Sequence, residues 1–191
     1  MEERQLVRLA QEGSPAAFEE LVAKYQSKVF SMALSFTRNR EAADDLAQEV
    51  FLKAYLALSR FHGKSEFGTW LYRISINHIK DYLRKKGRAK EVSLDDVQEI
   101  AFSNKEQTER AEQERETEAR RTLVQRFVQG LPEKYRVIVT LRDIQGLAYE
   151  QISQALHLSP GTVDSRLHRA RKMLRKKLAP YLLREGGANE L

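Results

Sequence analysis

An all-α protein of two small helical domains is what this sequence predicts, and three observations carry that reading. Glycine and proline are sparse, at 9 and 4 of 191 residues. Apolar residues recur at the 3.6-residue spacing of amphipathic helices rather than the alternation of strands. Leu147–Lys177, finally, reads as two short helices joined by a tight turn, the second basic along its outer side.

The elements follow in order. Leu6, Val7 and Leu9 give residues 1–12 a helical face. Ser14 then offers an N-cap oxygen and Pro15 occupies the first helical position, where its missing N–H costs nothing, so a second helix runs to about Arg38. A third covers Glu41 to about Ser59. A polar loop, Phe61-His62-Gly63-Lys64-Ser65-Glu66, leads into a fourth from about Phe67 to Lys86.

Residues 87–120 differ, being acidic, aromatic-poor and rich in Glu, Gln, Ser and Lys. Such a segment buries too little apolar surface to fold alone, so a flexible acidic linker is expected there, its second half (Lys105–Arg120) able to form a solvated helix. Thr122–Gln129, Glu133–Asp143, Tyr149–Leu156 and Pro160–Leu178 then make a second helical unit. The expected organisation is a domain over 1–86, a linker over 87–120 and a domain over 121–191.

Charge is uneven along these segments. Residues 1–86 carry 14 Lys and Arg against 11 Asp and Glu, 87–120 carry 6 against 10, and 121–191 carry 13 against 6. A net +6 therefore hides a basic C-terminal third suited to a polyanion. With no cysteine, disulfides, Cys-ligated zinc and thiol catalysis are excluded. No signal peptide is visible, and no apolar run approaches the roughly 20 residues that span a bilayer, so a cytoplasmic location is expected.

In the C-terminal unit, Ile152, Leu156, Leu158, Val163 and Leu167 fall where crossing helices need apolar contacts, with Ser159 as N-cap and Pro160 after it. That is the layout of a helix-turn-helix, whose second helix can enter the DNA major groove. On that helix Val163, Leu167, Ala170 and Leu174 share an inward face. Ser165, His168, Arg169 and Lys172 lie opposite, where they could reach base edges, with Arg166 and Arg171 on the flanks for phosphates. A lone basic helix is more often a solvated surface; the capped motif ahead of it favours DNA. Asp164 sits among these cations, where it could accept from cytosine N4 or orient an arginine.

The third helix gathers Ala43, Leu46, Ala47, Val50, Phe51, Ala54 and Leu58 on a core face. Its other side gathers Asp44, Asp45, Gln48 and Glu49 around Leu52. This is either a solvated helix with one stray leucine or an interface with an apolar anchor and an acidic rim. In the fourth helix Trp70, Arg73, Asn77, Lys80 and Arg84 form one stripe, and Leu71, Ile74, His78 and Tyr82 a second, apolar one. The first resembles a platform for unpaired bases, with an aromatic to stack, cations for the backbone and an amide for a base edge. The competing reading makes Trp70 or Phe67 a core residue, and His78 is expected to be a packed core histidine.

Three segments carry a resemblance: DDLAQEVFLKAY (Asp44–Tyr55), SEFGTWLYRISINHIKDYLRKK (Ser65–Lys86) and LPEKYRVIVTLRDIQGLAYEQISQALHLSPGTVDSRLHRARKML (Leu131–Leu174). Together and in this order they resemble the extracytoplasmic-function group of bacterial RNA polymerase sigma factors, which keeps only sigma domains 2 and 4. The resemblance implies that Asp44, Asp45, Gln48, Glu49 and Leu52 dock on the polymerase beta-prime coiled coil. It implies that the loop, through Phe61, His62, Gly63, Lys64 and Ser65, holds an extruded base of the minus-10 element, bordered by Trp70, Arg73, Asn77, Lys80 and Arg84. It implies that Thr162, Ser165, Arg166, His168, Arg169, Arg171 and Lys172 read the minus-35 duplex. The acidic linker would thread the polymerase cleft, an apolar surface of domain 4 would meet the beta flap, and an anti-sigma factor is an expected partner. Asp164, where many relatives are basic, and His168, where a larger aromatic is frequent, bear on the minus-35 preference.

On this reading the protein is no enzyme and needs no cofactor, metal or small-molecule substrate. One rival is an autonomous helix-turn-helix regulator, although residues 1–86 offer no evident ligand pocket or dimerisation heptads. A second is a nuclease with Asp44, Asp45 and Glu49 as metal ligands, but nothing is placed to complete such a site.

Overall fold

The computed structural model describes the backbone of residues 1–90 and 123–186, and the side chains of 1–86 and 123–181. All regular structure among the described residues is helical. An N-terminal bundle holds α1 (Glu3–Gln11), α2 (Pro15–Thr37), α3 (Arg40–Ala57), a 3₁₀ turn (Leu58–Arg60) and α4 (Phe67–Lys90). A C-terminal bundle holds α5 (123–129), α6 (Glu133–Val139), a π-helical turn (Thr140–Ile144), α7 (Tyr149–Leu156) and α8 (Pro160–Gly186). The linker expected over 87–120, with its helical second half, lies outside the described residues apart from 87–90, where α4 runs on past Lys86.

Local chemistry sets most boundaries. Ser14 Oγ accepts from the Ala17 N–H at 3.4 Å with Pro15 behind it, as the sequence predicts. Helix α3 begins at Arg40, because Asn39 Oδ1 accepts from the Ala42 N–H at 2.7 Å. Arg38 stands in the left-handed region at φ 57° and ends α2 there. The single helix expected over Glu133–Asp143 is instead α6 followed by the wider π turn. The Gln145 N–H reaches the Thr140 carbonyl at 2.9 Å, and Gly146 at φ +74° then turns the chain away.

Leu21, Val29, Met32, Val50, Leu71 and Ile79 of the N-terminal bundle and Val128, Leu131, Ile138, Leu141, Ile152 and Leu167 of the C-terminal bundle are fully buried and belong to one apolar core. Fully burying each such side chain contributes about 1.5–3 kcal/mol against its exposed state. Helix α4 is the centre of the molecule, packing on α1, α2 and α3 and also on α7 of the other bundle. That is why it buries Tyr72, Ser75, Ile76 and Ile79 beyond the apolar stripe read from sequence. Close approach of α2 to α4 requires Gly68, where a Cβ would stand 2.7 Å from the Tyr25 hydroxyl oxygen. That hydroxyl donates to Glu3 Oε2 at 2.8 Å, and Lys24 Nζ reaches the same oxygen at 2.5 Å, pinning α1 to α2.

Candidate nucleic-acid interface

Helix α3 divides as its sequence predicts. Ala43, Leu46, Ala47, Val50, Phe51 and Ala54 are buried, while Asp44, Asp45, Gln48, Glu49 and Leu52 face solvent. Leu52 is no isolated leucine: it is 59% exposed, beside Tyr55 at 49% and Leu56 at 71%. Tyr55 and Leu56 were missed, although they lie three and four residues beyond Leu52 and so share its side of the helix. Phe18 holds the Tyr55 ring edge-on at 5.0 Å, keeping that apolar surface in place. The acidic rim is partly ordered, since Gln48 Nε2 donates to Asp44 Oδ2 at 2.9 Å. Glu49 Oε2 lies 2.6 Å from His78 Nε2. His78 is packed between the two helices, its side chain 14% exposed, and its imidazole ties α4 to the acidic face of α3.

The loop before α4 is shaped by Gly63, whose φ of +67° few side chains tolerate. Gln11 braces it from α1, its amide donating to the carbonyls of Leu58 (3.0 Å) and Phe61 (2.8 Å). Phe61, Phe67 and Trp70 form an aromatic trio with ring centroids 5.0–6.0 Å apart. Trp70 is only 8% exposed, so it is a wall rather than the open stacking platform its stripe suggested, and Phe67 is buried with it. Against this wall lies a cavity of about 360 Å³ that His62, Lys64, Ser65 and Arg73 also line. Along the stripe Asn77 and Arg84 are exposed, Arg73 and Lys80 half-buried. Arg84 pairs with Asp81 at 3.0 Å, one turn away.

The helix-turn-helix has the predicted caps. Ser159 Oγ accepts from the Thr162 N–H at 3.2 Å and sits 2.8 Å from the Thr162 hydroxyl. Thr162 is thereby drawn into the cap. In the turn, His157 takes the left-handed conformation at φ 52° and the Ser153 hydroxyl donates to the Leu158 carbonyl. Val163, Leu167 and Ala170 are buried, and Ser165, His168, Arg169 and Lys172 are exposed on the opposite face, with Asp164 among them and Arg166 half-buried. Arg171, expected at a phosphate, is also engaged within the bundle. Arg171 donates twice to Asp143 in the π turn, at 2.5 and 3.3 Å, clamping α8 to the bundle. That hydrogen bond raises its already high pKa, against a smaller opposing effect of burial.

Among the described residues no cluster of histidine and carboxylate side chains could hold a metal ion, and no helix is long and apolar enough to cross a membrane. Asp44, Asp45 and Glu49 do not form such a cluster.

Residues 21–89 match the family model for sigma-70 region 2, and residues 121–174 that for sigma-70 region 4. The chain belongs to the sigma-70 family of RNA polymerase sigma factors. Within it the chain is a member of the extracytoplasmic-function (ECF) group. It is 42% identical to the RNA polymerase sigma-H factor of Pseudomonas aeruginosa over 96% of this chain and 97% of that one. It is 39% identical to the ECF RNA polymerase sigma-E factor of Escherichia coli K12, covering 94% and 95%. Among solved structures it resembles CnrH in complex with the cytosolic domain of CnrY, with a TM-score of 0.70, 27% identity, and 93% and 97% of the two chains covered. It shares the fold of the sigma factor RpoE from Bartonella quintana at a TM-score of 0.67 and 23% identity.

Proposed function

We propose that this chain is an alternative sigma factor that works through three separate surfaces. The apolar patch Leu52–Tyr55–Leu56, rimmed by Asp44, Asp45, Gln48 and Glu49, docks on the beta-prime coiled coil of core RNA polymerase. The loop at Phe61–Ser65, with Trp70, Arg73, Asn77, Lys80 and Arg84, captures the minus-10 element as single strand. The outer face of α8, through Ser165, Arg166, His168, Arg169 and Lys172, reads the minus-35 duplex. The division at 1–86 and 121–191 then separates sigma domain 2 from sigma domain 4, which also meets the beta flap.

The observation that carries this reading is the aromatic trio of Phe61, Phe67 and Trp70 beside the loop at Phe61–Ser65 and the cations of α4, on the same short chain as a capped helix-turn-helix with a basic outer face. A duplex reader alone has no use for such a loop and aromatic wall on its other bundle. Melting follows from binding rather than catalysis: extruding a base costs a few kcal/mol, and stacking a captured base returns roughly 1–3 kcal/mol. No covalent step is needed, so the protein acts as a specificity factor in the cytoplasm, where the polymerase works.

The α3 patch is also what an inhibitor of the protein would cover. CnrH has been captured with a partner's cytosolic domain, which supports an anti-sigma factor as a partner here. Run-off transcription with core RNA polymerase on a randomised promoter library tests the reading. Discrete start sites preceded by a shared pair of motifs are expected, and transcription from no defined site would falsify it. Specific footprinting by the chain without polymerase would point instead to an autonomous regulator.

A further inference from the structure

Two carboxylates in the acidic rim of α3 are held by hydrogen bonds of different origin. Asp44 takes the amide of Gln48 on its own helix, at 2.9 Å. Glu49 takes a group from the neighbouring helix, with His78 Nε2 of α4 lying 2.6 Å from its Oε2. A carboxylate only accepts, so the imidazole N–H donates. The two ends of this contact differ in setting. The His78 ring is largely buried between the packed helices, whereas the Glu49 side chain is 58% exposed. A ring rooted in the bundle therefore reaches the surface and grips a carboxylate that would otherwise stand in solvent.

The sequence of α3 shows what this grip prevents. Lys53 lies one turn beyond Glu49 and is exposed. A glutamate four residues ahead of a lysine is the favourable order for an ion pair on a helix surface. Yet among the described residues Glu49 forms no such pair with Lys53, and His78 is its one side-chain partner. Its Oε2 is satisfied, while Oε1 is left for a donor arriving from outside. Leu52, three residues on, shares that side of the helix and begins the apolar patch. Fixing such a long side chain in an interface removes rotamer freedom, and one already held loses less.

We infer that His78 is a positioning residue of the polymerase-docking surface. From α4 it holds the Glu49 carboxylate beside Leu52 and away from Lys53, so that a basic group of the polymerase meets a rim already in place. The inference rests on the docking function proposed above for α3. His78 lies behind the surface and acts through Glu49. Its neighbours along α4, Asn77 and Lys80, belong to the strand-reading stripe, so one helix supports docking from one side and reading from another.

The affinity of the labelled full-length chain for core RNA polymerase, followed by fluorescence anisotropy, tests this with variants matched in kind. H78N keeps an amide but stops short of Glu49, whereas H78Q carries the same amide one methylene further. H78N should weaken docking about three- to tenfold, the effect of ordering one long side chain, while H78Q stays within about twofold of the parent. H78F, which keeps a ring for packing but has no N–H, should match H78N, and it replaces H78N if the shorter side chain unfolds the bundle. In an E49A background, itself weaker, either substitution should add no further loss. Unchanged affinity in H78N and H78F would overturn the inference, as would equal losses in H78N and H78Q. A loss that persists undiminished beside E49A would overturn it too, since His78 would then act through something other than Glu49. E49A and L52D also test the underlying docking function. If neither lowers affinity, α3 is not the docking surface and both readings fall; if both do and H78N and H78F do not, only the positioning role falls.

Discussion

Tyr72 shows what burial does to a single group. Its side chain is 4% exposed, and burial, with a smaller contribution from the Glu3 carboxylate, pushes its hydroxyl up to about 12 from 10.0. Tyr25 is raised in the same direction, chiefly by burial and then by its hydrogen bond to Glu3. A raised folded-state pKa leaves stability intact below pH 10 and removes it as pH climbs toward 12, by about 2–3 kcal/mol for Tyr72. Thermal melts followed by circular dichroism should therefore drop steeply between pH 10 and 12, and Y72F should flatten that drop. Arginines invite an equally local test. R169A should weaken binding of holoenzyme to minus-35 duplex by about 1–3 kcal/mol and relax its sequence preference at one position. R171A should leave that preference unchanged and reduce stability by about 1 kcal/mol or less, since its pair with Asp143 is partly exposed. The helical period separated these two residues only by position, Arg169 opposite the core and Arg171 on a flank; the pairing of Arg171 with Asp143 depends on the π turn, which no local period reveals.

At the scale of elements, what could be read in advance was whatever depends on neighbours in sequence. The Ser14-Pro15 and Ser159-Pro160 starts, the core face of α3 and the inward face of α8 all follow from caps and from the helical period. Replacing Ser159 by alanine should cost about 1 kcal/mol in a chemical denaturation of the full chain, because both the N–H and the hydroxyl of Thr162 lose their partner. Elements shaped by distant contacts were not legible. The burial of Trp70 depends on Phe61 and Phe67 closing around it, and the extra buried positions of α4 depend on four helices meeting there. The link from His78 to Glu49 spans 29 residues, so no local period reveals it. The apolar patch of α3 was half legible, Leu52 being seen and Leu56 not. L52D and L56D should each weaken core polymerase binding about tenfold or more in fluorescence anisotropy, with far-UV circular dichroism unchanged. An undiminished affinity in both would remove α3 from the docking surface.

For the whole molecule, the uneven charge of the three sequence segments translates into a division of labour. If the basic C-terminal bundle supplies duplex affinity as proposed, promoter binding by holoenzyme should fall steeply between 50 and 200 mM salt, whereas docking through an apolar patch should fall less. Comparing the two slopes in one titration checks this. The arrangement of the bundles was the least legible feature, because it is set by single side chains such as Gln151 and Arg136 meeting partners across the chain. Gln11 belongs at this scale too, although it reads nothing itself. Its one amide holds two carbonyls of the loop that follows α3, so the first dozen residues act as a splint for a site some fifty positions away. A version of the protein shortened at its front would keep every residue assigned to DNA and polymerase, and would be left with a reading loop that no longer has a fixed shape to read with.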